Sequence, residues 1–340
     1  MTRRGEPLPD ARVTQVDVAR RANVSRALVS IVMRRVPGAS PETRERVLKA
    51  ARELGYRPDA RARSLAGPRS RVIGVMFGLS VGAFHFDLLD GLFAAAEEQG
   101  YNLIMAPLTQ RRDELLAAQA LQDFRFDALI MLSPPTTSPL LAGQLPLAVV
   151  GWQVDHPAVD VIRTSDEQGI GAAIEHLVQL GHRRIVHIDG GSTAIADARR
   201  RAYVDGMRLF GLGEHCRVVP GGQSLLDGHR AAQQLLNERD LPTAIVAYND
   251  DTAVAAIGLL AQHGVGVPGR VSVTGFDDSG ALATSPVGVT TVVQHAEELG
   301  RLAVERVIDR VDQRRVVDRE IVLPAELRVR ASTAAPCAEV

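Results

Sequence analysis

Cysteine is nearly absent from this 340-residue sequence: Cys216 and Cys337 are the only two. Two thiols build neither a disulfide framework nor a zinc site, so stapled secreted domains and zinc-held modules are excluded. Lysine is scarcer still, with Lys49 alone among 39 basic residues, and aromatic residues make up only 4 %. No apolar run approaches the roughly 18 residues of a membrane span. Ala128–Leu132 and Leu145–Val150 are strand-sized. Arg3 and Arg4 are followed by no apolar segment, so a secretory leader is not expected and a cytoplasmic location is. Excess charge is also missing, with a formal total of −1, which as a sum argues against nucleic acid as a partner.

What is present reverses that last inference. Residues 1–67 hold 15 basic and 7 acidic residues, a net of +8, and the remainder holds 24 and 33, a net of −9. A basic head joined to an acidic body predicts a nucleic-acid or membrane contact at one end. With 46 % hydrophobic and 23 % charged residues, the whole is a globular chain of two to three domains.

Val13–Val32 reads as two short helices around a tight turn. Thr14 followed by Asp17 is an N-terminal cap with an acid in the first turn. Val16, Ala19 and Ala22 form one apolar face, and Asn23 occupies the turn, where positive φ is wanted. Ser25 opens a second helix with Leu28, Val29 and Val32 inward. Ser40-Pro41-Glu42 starts a third, through Val47, Leu48 and Ala51 to Gly55. Three helices with a positive surface fit a helix-turn-helix module with Ser25–Met33 in the major groove; a solvated basic hairpin is the plain alternative.

The run Val13–Ser30 (VTQVDVARRANVSRALVS), continued by Thr43–Leu48 and Glu53–Pro58, resembles the signature of the lactose/galactose-repressor family of bacterial transcription factors. The resemblance extends over about residues 13–330. It implies DNA contacts from Thr14, Ser25, Arg26, Ala27, Ser30, Ile31 and Arg34. Ile31 stands where the family usually has arginine, and Arg34 where it has asparagine. Ile31 meets a thymine methyl rather than a guanine, so a different operator is expected. Residues 59–67 resemble the family's hinge. There Leu65, with Ala62 beside it, would wedge into the minor groove and bend the duplex. On composition alone the same segment is a flexible Arg/Ala linker.

From Arg71 onward, strand-like runs (72–77, 102–106, 128–132, 147–150, 185–188, 244–247, 271–275) alternate with helical stretches (88–99, 169–180, 227–237, 252–263). That alternation predicts parallel α/β sheets covered by helices. Gly-x-Gly-x-x-Gly after the first strand, a Walker loop and a Gly-x-Ser-x-Gly elbow are all lacking, so no enzyme, cofactor or metal is expected. The pairs Asp250-Asp251 and Asp277-Asp278 end strands, where α/β sheets bind ligands. His182 and His187 read as structural or surface residues.

The resemblance implies two doubly wound lobes, as in periplasmic binding proteins, crossed near residues 163–165, 291–293 and 323–325. The domains expected are an arm (1–12), a head (13–57), a hinge (58–70), a first lobe (71–163 and 294–323) and a second lobe (164–293 and 324–340). Matching the family's effector positions gives His85, Phe86, Trp152, Arg199, Gln223, Asn249, Asp277 and Gln294. Phe86 would face a ring, and Trp152 would favour stacking over hydroxyl binding, which admits a nucleoside beside a sugar. Asp166 would cap the following helix. The implied protein is a homodimeric, effector-controlled repressor on a pseudo-palindromic operator. It would be cytoplasmic and nucleoid-associated when bound. The tail after Val329 shows no heptads for a tetramer-forming coiled coil. A transporter's solute-binding protein would share the body but has no use for residues 13–57.

Overall fold

The computed structural model describes residues 13–33, 36–56, 69–78, 82–109, 111–122, 124–132, 143 and 145–337. They divide into two compact units, residues 1–70 and 71–340.

The first unit contains α1 (Gln15–Ala22), α2 (Arg26–Met33) and α3 (Pro41–Glu53). Side-chain chemistry fixes each start. Thr14 Oγ1 accepts the Asp17 N–H, and the Asp17 carboxylate accepts the Thr14 N–H at 2.9 Å, closing a capping box. Ser25 Oγ accepts from Leu28 N–H at 3.2 Å and Ser40 Oγ from Thr43 N–H at 3.3 Å. Asn23 ends α1 at φ 52°. The core is valine and alanine: Val18, Ala19, Ala22, Val29, Val32, Val47, Ala50 and Ala51. Two expected core residues point outward instead, Val16 at 47 % and Leu48 at 38 % exposure. Each helical step rotates the side chain by about 100°, which brings Val18 and Ala50 inward in their place.

The second unit holds two six-stranded sheets. The first contains β1 (Val72–Gly78), β2 (Asn102–Leu108), β3 (Ala128–Leu132), β4 (Leu147–Val150), β5 (Val159–Thr164) and β11 (Glu320–Leu323), in the order β2-β1-β3-β4-β5-β11. The second contains β6 (Ile185–Ile188), β7 (Arg217–Val219), β8 (Ala244–Ala247), β9 (Ser272–Asp277), β10 (Thr290–Val293) and β12 (Glu326–Arg328), in the order β7-β6-β8-β9-β10-β12. All pairs are parallel except β10 with β12. β3, β4, β6 and β8 are buried along their whole length, as strands covered on both faces must be.

Helices α4 (Ala83–Glu98) and α10 (Ala296–Val311) cover one face of the first sheet, and α5 (Glu114–Gln122) covers the other. α6 (Asp166–Gln179) and α7 (Ala194–Leu209) cover one face of the second sheet; α8 (Leu225–Leu236) and α9 (Asp250–Gln262) cover the opposite one. α4 and α10 touch backbone to backbone: a Cβ on Gly91 would lie 2.2 Å from the Glu297 carbonyl oxygen. The chain passes between the sheets after Thr164, after Val293 and after Leu323. The sequence expectation placed these passages near residues 163–165, 291–293 and 323–325, with lobe boundaries after 163, 293 and 323. β5 was not read from the sequence, because its apolar run is broken by Asp160. That carboxylate is buried and held by Arg310 at 2.7 Å and Arg306 at 3.2 Å.

Candidate functional site

In the first unit the exposed surface of α2 is the feature suited to a ligand. Ser25, Arg26 and Ala27 are exposed at its N-terminus, and its first turn carries no acidic residue. Arg26 and the positive N-terminal end of that helix favour an anion. Ser30 and Ile31 follow, half-buried. Thr14 is exposed with its hydroxyl engaged in the α1 capping box. Arg34, Ala62 and Leu65 lie outside the described residues.

In the second unit, strand ends and helix starts of both lobes wall a cavity. Its polar side comes from the second lobe. Arg199 on α7 is 4 % exposed, and its guanidinium lies 3.6 Å over the Phe276 ring. Its Nε donates to Asp166 Oδ1 at 2.8 Å, its Nη1 donates to the Tyr248 carbonyl at 2.7 Å, and Asp277 Oδ1 stands 3.8 Å from Nη2. Burial alone would lower the Arg199 pKa, but its acidic neighbours, Asp166 first and then Asp277, outweigh it and keep the cation fixed. Asp277 closes β9 at φ 121°, a conformation that strains a side-chain-bearing residue and often marks a functional position. Burial raises its carboxyl well above the usual range, partly offset by Arg199, and Gln294 Nε2 donates to it at 2.7 Å. Asn249 caps α9, and its Nδ2 donates to the Gln223 carbonyl at 3.0 Å.

The apolar side comes mainly from the first lobe: Phe84, Leu88, Val150 and Leu299, with Ile195 from the second. His85 stands among them. Its Nδ1 has no hydrogen-bond partner among the described residues, and burial lowers its pKa, so the ring is neutral. An apolar wall opposite a few converging polar groups suits a small ring-shaped ligand with hydroxyl or amide edges.

The two aspartate pairs are split by the fold. Asp250 is fully buried and accepts from Ser279 N–H at 2.7 Å and Thr291 Oγ1 at 2.6 Å, and burial pushes its pKa up to about 7. Asp278 is held by Arg328 and by Arg330. Asp251 and Asp277 alone of the four line the cavity. Among the described residues no group of three His, Cys, Asp or Glu side chains is placed to hold a metal ion.

Residues 14–59 match the bacterial regulatory proteins of the lacI family, and residues 174–333 match a periplasmic binding protein-like domain. The transcriptional repressor PurR of Photobacterium profundum is 30 % identical over 327 residues, covering 93 % of this chain and 97 % of that protein. The chain belongs to the lacI family. It is a DNA-binding transcriptional regulator with a helix-turn-helix head and a two-lobed body. The lac repressor dimer bound to operator and the anti-inducer ONPF superposes with a TM-score of 0.83 at 27 % identity, covering 95 % of this chain and 99 % of that one. The regulator CelR in complex with cellobiose gives 0.70 at 27 % identity, covering 94 % and 100 %.

Six of the eight positions matched to the family's effector site line the cavity: His85, Arg199, Gln223, Asn249, Asp277 and Gln294. Two do not. Phe86 is 62 % exposed and turned away, while Phe84 lines the wall, because two helical positions separate opposite sides of α4. Trp152 is 6 % exposed within the first-lobe core beside Met131 and Val149, so its indole is packing rather than a stacking platform. Gly151, at φ 112°, turns the chain there and lines the cavity instead. Asp166 is not the helix cap: Ser165 Oγ accepts the Gln168 N–H at 3.2 Å, which leaves Asp166 for Arg199. His182 and His187 are buried, each bonded to a backbone carbonyl. Tyr248 and Ile195 are lining residues that pattern reading missed, whereas Asp251 belongs to a pair that the sequence placed at a ligand-binding strand end.

Proposed function

We propose that this regulator represses transcription as a homodimer on a pseudo-palindromic operator, under control of a small effector bound between its lobes. The observation that carries the effector reading is the convergence of Arg199, Asn249, Asp277 and Gln294 on one cavity opposite Phe84, Leu88 and Leu299. Arg199 is already neutralised by Asp166, which leaves no free cation for a phosphate or carboxylate among the described lining residues. A neutral sugar or nucleoside-like ring fits this lining: its edges meet Asn249 and Asp277 and its face meets the apolar wall. The structures of the lac repressor with operator and anti-inducer and of CelR with cellobiose support the same division of labour.

The head reads DNA through Ser25, Arg26, Ala27, Ser30 and Ile31, with Arg34, Ala62 and Leu65 completing the contact. Two heads on a two-fold axis read half-sites about one helical turn apart. Effector and operator act on each other reciprocally through lobe closure, so each changes the other's affinity by the same factor. The reading includes no catalysis and a cytoplasmic, nucleoid-bound location. A thermal-shift panel of sugars, nucleosides and sugar phosphates, repeated with selected operator DNA, tests it. One neutral ring class should raise the melting temperature, and Asp277→Ala should abolish that rise. A shift that survives Asp277→Ala places the effector elsewhere.

A further inference from the structure

We propose that Asp251 is a latch between the two lobes, capping the first helix of the opposite lobe and setting how readily the cleft opens. The inference rests on reading that cleft as the effector site.

α4 begins at Ala83 with Gly82 as its N-cap, and glycine supplies no capping side chain. Helices α6 to α9 are each capped by their own preceding residue, Ser165, Thr193, Ser224 and Asn249. α4 receives a carboxylate from the other lobe instead: Asp251, at the start of α9, packs its Oδ2 against the Gly82 backbone at the head of α4, next to the Ala83 amide. A carboxylate against the positive end of a 16-residue helix is favourably placed. Burial raises the Asp251 pKa, and the bond from Ala83 opposes that rise.

Gly82 is what lets the carboxylate seat. Its backbone is extended, with φ −88°, so conformation alone does not require glycine. Close approach does: a Cβ at Gly82 would lie 2.1 Å from Asp251 Oδ2. The same end of α4 meets the second lobe again at the short 3-10 helix Gly280–Thr284, where a Cβ on Gly280 would touch that of Ala83 at 4.0 Å. Phe84 and His85, the next two residues of α4, line the cavity. The latch therefore sits at the cleft wall and holds its two sides together. A ligand entering the cleft must part this contact, and its apparent affinity is reduced by the fraction of molecules in which the latch is closed.

Trp152 provides a built-in reporter that needs no effector. It is the only tryptophan and is buried in the first-lobe cluster on which Ile195 of the second lobe packs. Acrylamide quenching of its fluorescence in the full chain measures parting of the lobes. Asp251→Ala should raise the quenching constant by about twofold or more while the far-ultraviolet spectrum stays unchanged. Gly82→Ala should give the same increase from the other side, because the added methyl displaces the carboxylate. The double variant should quench no more than either single one, since both break one contact. Hydrogen exchange should speed up at the Ala83 amide in both variants. Unchanged quenching in Asp251→Ala, or additive increases in the double variant, overturns the latch. Either result leaves the cleft's role as effector site, which the thermal-shift panel tests, untouched.

Discussion

Arg199 Nε lies 2.8 Å from Asp166 Oδ1, and both side chains are 5 % exposed. The pair joins the start of α6 to the first turns of α7, and it fixes the guanidinium at the cavity wall. Removing one partner leaves a buried charge uncompensated. Asp166→Ala should therefore destabilise the body by about 3 kcal/mol, at the lower end for such pairs because Asp277 remains near the guanidinium. Urea unfolding at constant m-value measures it. A midpoint equal to wild type would show that Asp277 alone neutralises Arg199.

Operator binding should weaken steeply with salt, because phosphate neutralisation by the basic head releases counterions. Arg26→Ala should cost about 1–3 kcal/mol of operator affinity if Arg26 reads a base, and it should relax preference at one position of each half-site. Fluorescence anisotropy across a salt series separates the cases. A uniform loss on all sequences, with the salt slope reduced by about one, assigns Arg26 to phosphate instead.

His187 is fully buried, stacked on Tyr203 with ring centroids 5.3 Å apart, and burial lowers its pKa to about 4. Between pH 6.5 and 4 the unfolded chain binds a proton at this imidazole that the folded chain refuses. Stability is therefore fully expressed above pH 6.5 and falls as pH drops toward 4, by up to about 3 kcal/mol from this group. His187→Phe keeps a ring on Tyr203 and removes the proton. Its melting temperature should fall less steeply over that window than that of wild type. Parallel curves would mean that other groups set the acid limit.

Leu65 lies outside the described residues, and the expectation for it comes from the hinge resemblance. Leu65→Ala should weaken operator binding while the effector-induced melting shift stays intact, because the wedge acts on DNA and not on the cleft. Equal operator affinity in the variant removes the wedge.

Much of the fold was legible because its signals are local. Thr14 with Asp17, Asn23, Ser25 and Ser40-Pro41 each fix a helix boundary through their own backbone neighbours. The buried strands β3, β4, β6 and β8 were legible because parallel strands covered on both faces must be continuously apolar. β5 was hidden because Asp160 interrupts it, and the arginines that neutralise that carboxylate come about 150 residues later.

By itself the sequence determined a basic head and an acidic body, the helix-turn-helix boundaries and the alternation of strands and helices. Those follow from charge, capping and periodicity, which act over a few residues. Through the family resemblance it also marked six of the cavity's polar or ring-bearing residues. Tertiary structure alone decided which side of α4 faces the cavity, so that Phe84 and not Phe86 lines it. It also buried Trp152, gave Asp166 to Arg199, and set Asp251 against the Ala83 amide across the cleft. The physical reason is range. A carboxylate's partner in a folded chain is chosen by the approach of two lobes, and no spacing along the chain records that approach.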